Sequence, residues 1–153
     1  MSKAEVIAAV EDTWRSFRDS FERLTTTDLE VAAVTGDWSI KDVVGHVAAW
    51  DIALARLLNS RDVGVDLSQR QVDTFNRQQA ARRAKRTVAE VLTELEEARR
   101  TLREALQAAP DSAFVAGSEW RDRIDTFSVF HHQEHATAVR LWIERTKRGW
   151  RSG

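Results

Sequence analysis

One proline and six glycines are spread over 153 residues, and this scarcity of chain-breaking residues constrains the fold more than any other feature. A many-stranded β protein needs frequent turns, and turns draw on glycine and proline. The chain therefore reads as long helices. Its 42% hydrophobic and 31% charged residues describe a globular protein with enough apolar surface for a core, and the length suits one domain over residues 1–153. Cysteine is absent, which excludes disulfides, thiolate metal ligands and a cysteine nucleophile. A formal net charge of -1 gives no bulk attraction to nucleic acid. The basic run from Arg82 to Arg86 lies near Glu90, Glu94, Glu96 and Glu97 and reads as a solvated helix face, so no nucleic-acid partner is expected. Glu5, Glu11 and Asp12 interrupt the N-terminal segment, and no apolar run approaches the roughly 20 residues of a bilayer span. The expectation is a soluble, cytoplasmic protein with no membrane partner.

Helical periodicity covers four long segments. From about Lys3 to Leu24, the residues Val6, Val10, Trp14, Phe17, Phe21 and Leu24 fall on one stripe. Thr25 to Asp28 breaks that pattern, since short polar side chains favour turns and caps. A second helix starts at Ser39, a good N-cap, with Asp42 adding negative charge to the first turn. Its stripe is Val43, Val47, Trp50, Leu54 and Leu57, and it ends before Ser60. Gln69 to Arg86 is polar and helix-permissive, and Thr87 to Glu90 is a capping-box pattern heading the stripe Val91, Leu92, Leu95, Ala98, Leu102 and Leu106. We expect one third helix, broken near Arg86 and Thr87 and stopped by Pro110. A fourth runs from near Asp125 or Thr126 to about Arg148, with Phe127, Phe130, Ala138, Leu141 and Trp142 on its buried side. The expected fold is all-α, a four-helix bundle.

The histidines occupy two of these helices. His131 and His135 are four residues apart, so their side chains stack one turn apart on one face, about 40° out of phase. Two imidazoles at that spacing can share a divalent metal. His46 on the second helix is the one remaining histidine able to complete an open three-nitrogen site, on a face shared with Asp42, Trp50 and Ala53. Gly45 beside it costs about 1 kcal/mol relative to alanine in a helix, a cost that close approach of another backbone or a ligand explains. Two alternatives stay open. His132, about 100° from His131, can pair with His135 instead; or the cluster is a polar patch and His46 a hydrogen-bonded core residue.

The stretch from Gly36 to Trp50 contains Trp38, Ser39, Asp42, His46 and Trp50 in a WSxxDxxxHxxxW-like pattern, and His131 to His135 supplies HxxxH on the last helix. These motifs resemble the DinB/YfiT-like superfamily, and the resemblance covers most of the chain. Within it, Val72 to Leu102 and Phe130 to Ala136 are similar to the ClbS/DfsB branch. The resemblance implies a four-helix bundle, often a homodimer. It also implies a divalent metal (zinc, nickel or an iron-like ion) on His46, His131 and His135. Members include thiol transferases and isomerases using a low-molecular-weight thiol, and hydrolases that protect against a reactive small molecule.

On that basis Trp50, Asn76 and His132 are candidates for the substrate pocket. Trp50 can equally be plain core and Asn76 a surface amide. Asp42, one turn before His46, is a candidate to orient its imidazole, or only favours the helix start. Two functions follow from the pattern: a metal-dependent thiol transferase or hydrolase acting on a reactive small molecule, and a non-catalytic bundle that sequesters one. A bundle whose histidines form only a polar network is the third reading.

Overall fold

The apolar stripes become the inward faces of helices in the computed structural model, which describes residues 1–32, 34–60 and 67–146. Helix α1 (Lys3–Ser20) opens with a reciprocal Ser2–Glu5 capping box and buries Val6, Val10, Trp14 and Phe17. Where the sequence pattern breaks, Thr25 and Asp28 form a second capping box and start the short α2 (Thr26–Leu29). Helix α3 (Ile40–Ser60) begins at Ser39, whose hydroxyl accepts the Asp42 N–H while the Asp42 carboxylate accepts the Ser39 N–H. The expected break falls between α4 (Gln69–Arg83) and α5 (Val88–Ala108), where Thr87 caps the latter. Only Arg83 of α4 is buried, so the bundle takes its third helix from α5 and α4 lies against the outside of α3.

The last helix differs from expectation. Gly117, with φ of 83°, turns the chain, and the Ser118 hydroxyl then accepts the Arg121 N–H. This starts α6 (Glu119–Ile124) before the Asp125 or Thr126 start read from the apolar stripe. A π-helical stretch, Asp125–Val129, joins it to α7 (Phe130–Thr146). The Phe130 N–H reaches back five residues to the Asp125 carbonyl. The wider turn changes the phase of everything after it. Phe130 and Leu141 consequently face outward, 58% and 57% exposed, while His132, His135, Ala136, Val139 and Trp142 turn inward. The expected end near Arg148 lies outside the described residues.

Among the described residues the protein is all-α: no strand forms, and one isolated bridge pairs Thr35 with Trp38. None of the described helices is long and apolar enough to cross a membrane. The core has two apolar parts. One gathers Trp14, Phe17, Val47, Leu95 and Val139; the other gathers Val10, Leu54, Leu102, Phe114 and Ile124. Between these groups along α1, α3 and α7 lies a polar line. Asp51 and His132 are both fully buried, with His132 Nε2 donating to Asp51 at 2.8 Å. His132 Nδ1 lies 3.1 Å from the Thr13 hydroxyl. Removing one member of such a pair leaves the other polar and desolvated. Asp51→Ala is expected to cost about 3 to 5 kcal/mol in urea unfolding, with the Asp51→Ala/His132→Leu double variant costing less than the sum of the singles. Additive losses would show the pair is uncoupled.

Candidate metal centre

Helix α3 brings His46 to the inner side of α7, where His131 and His135 occupy successive turns. The three imidazoles meet at their tips. His131 Nε2 lies 2.9 Å from His46 Nε2 and 3.1 Å from His135 Nε2, and one nitrogen from each ring lies within 4.8 Å of the others. His46 and His135 are each 8% exposed, and His131 is half-buried. The rings stand edge to face, at centroid separations of 4.6 to 4.9 Å.

Hydrogen bonding alone does not satisfy this cluster. Each neutral imidazole nitrogen offers either one hydrogen or one lone pair. His131 Nε2 therefore cannot make a full hydrogen bond to both neighbours at once. A divalent ion accepting three lone pairs removes the conflict. The two short separations approach the roughly 3 to 3.4 Å between nitrogens bound to one ion at about 2.1 Å. Three nitrogen donors with no thiolate suit zinc, nickel or iron among the common divalent ions. The Nδ1 of His131 is buried without a hydrogen-bond partner.

Electrostatics also favour lone pairs over protons. Burial first, then the nearby His135 and Arg83, lower the His46 pKa from the ordinary 6.5 to about 3. Burial, then His135, His46 and His132, take His131 to about 2. Burial lowers His135 as well, and Glu134 opposes that shift. All three rings are thus neutral at neutral pH, the form that binds metal.

The other site residues read from the sequence are distributed around this cluster. Trp50 donates its Nε1–H to Asn76 Oδ1 at 2.8 Å, tying α3 to α4, and its ring stacks on Phe127 and tilts against Phe75. Trp50 borders a cavity of about 410 Å³ with Leu57, Val72 and Phe75. Asn76 borders another of about 720 Å³ with Trp38, Arg70 and Arg77. His132 faces the core, engaged with Asp51 and Thr13. The Asp42 carboxylate is engaged at the helix start, its Oδ2 accepting from both the Ser39 N–H and hydroxyl. Trp38, not singled out as a site residue by the sequence, packs on His46 with centroids 5.0 Å apart.

Two residues escaped the sequence reading. Asp51 is a buried carboxylate inside an otherwise apolar stretch, and nothing nearby in sequence names its partner. Arg83, within the basic run read as solvated, is 3% exposed. The one sequence signal was Gly45: a Cβ there would overlap the Cδ and Nε of Arg83. The close approach that Gly45 permits is thus an arginine stem, neither backbone nor ligand.

The lowered pKa values set a pH dependence. Unfolded imidazoles take a proton near pH 6.5, whereas His46 resists until about 3. In between, the unfolded chain binds more protons, so stability rises with pH and is lost as pH falls. Chelator-treated protein should lose stability below about pH 6.5, by at most about 1.4 kcal/mol per pH unit per histidine. Urea melts at stepped pH should show a shallower slope for His131→Phe; a flat wild-type profile over this window would contradict the assignment.

The crystal structure of an uncharacterised protein from Escherichia coli UTI89 is similar to this chain at a TM-score of 0.78 and 11% identity, covering 96% of this chain and 95% of that one. A Streptococcus pneumoniae protein gives a TM-score of 0.77 at 13% identity, covering 94% and 91%. At these identities the likeness is one of fold. None of the curated proteins matches the chain. Residues 10–146 match the family model of the mycothiol maleylpyruvate isomerase N-terminal domain. The chain belongs to that family, whose fold is DinB-like.

Proposed function

We propose that this protein is a divalent-metal-dependent enzyme that directs a low-molecular-weight thiol, or water, onto a reactive small molecule. The observation that carries this reading is the convergence of His46, His131 and His135, three neutral imidazoles whose tips meet at one point. In this reading they are the metal ligands. The family is named for a mycothiol maleylpyruvate isomerase, which favours a thiol co-substrate. Membership of the ClbS/DfsB branch would instead make water the nucleophile. A bound divalent ion supplies nucleophile activation by lowering the pKa of coordinated water or thiol at neutral pH.

The chain's own residues do the rest. Burial keeps the three imidazoles unprotonated, and their Nε2 atoms converge. Trp38 covers one side of His46 and limits water there. The Trp50–Asn76 hydrogen bond holds α4 against α3, with Trp50 lining one cavity and Asn76 another. With no cysteine in the chain, no protein thiol competes with an added one. As a single bundle domain in the cytoplasm, the protein is proposed to pair as a homodimer. Phe130 and Leu141, eleven residues apart on α7 and both exposed, would gain cover on one face.

Elemental analysis of purified protein, stripped and then titrated with zinc or nickel, should find one ion per chain. His46→Ala and His135→Ala should each weaken binding by about a hundredfold or more. Failure of the wild type to take up either metal at saturation would overturn the reading. Mass spectrometry of metal-loaded protein with mycothiol, bacillithiol or glutathione and an electrophile should show thioether or hydrolysed product above the protein-free rate. Metal uptake with neither product would leave a sequestering bundle as the function.

A further inference from the structure

Arg83 ends α4 almost fully buried, and its Nε and both terminal nitrogens have no hydrogen-bond partner. A guanidinium keeps its proton in a protein and carries five donors in a planar fork. Leaving that group desolvated and unpaired is strongly unfavourable. Its neighbours do not complete it. The Trp38 ring lies 5.9 Å away and offers one aromatic face. Asp42 opposes the lowering of the Arg83 pKa by burial, but its Oδ2 is taken by Ser39.

The fold makes room for this arginine deliberately placed against α3. Its stem crosses the helix backbone at Gly45, where any side chain would overlap it. Beside it lies a cavity of about 210 Å³, bordered by Gly45, Arg56, Arg82, Arg83 and Glu97 and floored by Ile52 and Phe75. Arg86 also borders it but pairs with Glu94. Arg56, Arg82 and Arg83 then face Glu97 alone, so the wall carries excess positive charge. Trp38 lies against both groups, 5.9 Å from the Arg83 guanidinium and 5.0 Å from the His46 ring, and Gly45, which the Arg83 stem crosses, directly precedes His46, which links the cavity to the histidine cluster.

We propose that the cavity between α3, α4 and α5 binds the carboxylate of a small organic acid through the Arg83 guanidinium, presenting the rest of that acid to the histidine cluster. This rests on the reading of the cluster as the reaction centre and names the substrate class it takes. The planar fork matches two carboxylate oxygens, and Arg83 itself lines the cavity. The apolar floor of Ile52 and Phe75 suits a carbon skeleton rather than a bare inorganic anion.

Calorimetric titration of zinc-loaded protein with benzoate, and with benzamide as its uncharged isostere, tests this. Wild type should prefer benzoate by about tenfold or more, as a charge-assisted pair demands. Arg83→Met should abolish the preference while taking up zinc as the wild type does, and Arg83→Lys, with charge but no fork, should retain part of it. Equal binding of the two probes by wild type, or an undiminished preference in Arg83→Met, would overturn the proposal. A benzoate preference dependent on Arg83 in a protein that takes up no zinc would support the carboxylate site and overturn the metal reading.

Discussion

The buried line from Thr13 through His132 to Asp51 fixes the rotation of α7 against α1 and α3. It is a polar connection that spans all three helices through the interior, lying between apolar groups that could pack in several rotations. Hydrophobic contact is non-directional, whereas a desolvated carboxylate must meet its donor. Turning α7 by one residue would leave Asp51 unpaired in the core. With His132 so held, its neighbour His131 and the next-turn His135 are directed at His46. The same constraint that orders the core thus orders the candidate metal centre.

The site gathers groups that the rest of the fold would be more stable without. Three imidazoles are desolvated, one ring nitrogen of His131 has no partner, and a guanidinium lies buried nearby. Such costs concentrate at functional sites, where a ligand offsets them. A cation among the imidazole tips and an anion at Arg83 are complementary answers to them. Each cost also sits on a different helix pair: the imidazoles between α3 and α7, the guanidinium between α3 and α4. Helix α3 is common to both, which is why Gly45 and His46 are adjacent in sequence.

The bundle was legible because its signals are local. The stripe on α1 and the Ser39–Asp42 cap each lie within a few residues and appear as read. Thr87 caps α5 with its hydroxyl, which donates to the Glu90 carboxylate in place of the expected capping-box bond from the Thr87 N–H. The cluster was partly legible, since the spacing of His131 and His135 decides their common face. Its third member needed a tertiary contact, which the motif around Trp38 and His46 signalled. What stayed hidden depends on long-range partners or on phase. The π-helical stretch carries no marker in Asp125–Val129, and it reversed the expected burial of Phe130 and Leu141. Arg83 looked like its charged neighbours because its burial is imposed from α3, some forty residues earlier in the chain. His132 was grouped with the pocket, but the structure turns it to Asp51, a partner 81 residues away.

X-ray absorption at the zinc edge of the zinc-loaded protein tests the central claim most directly. The account predicts three imidazole nitrogens at about 2.0 to 2.1 Å together with one or more oxygen ligands from solvent, and two imidazoles in His46→Ala. A wild-type spectrum with fewer than three imidazoles, or one unchanged by His46→Ala, would contradict it.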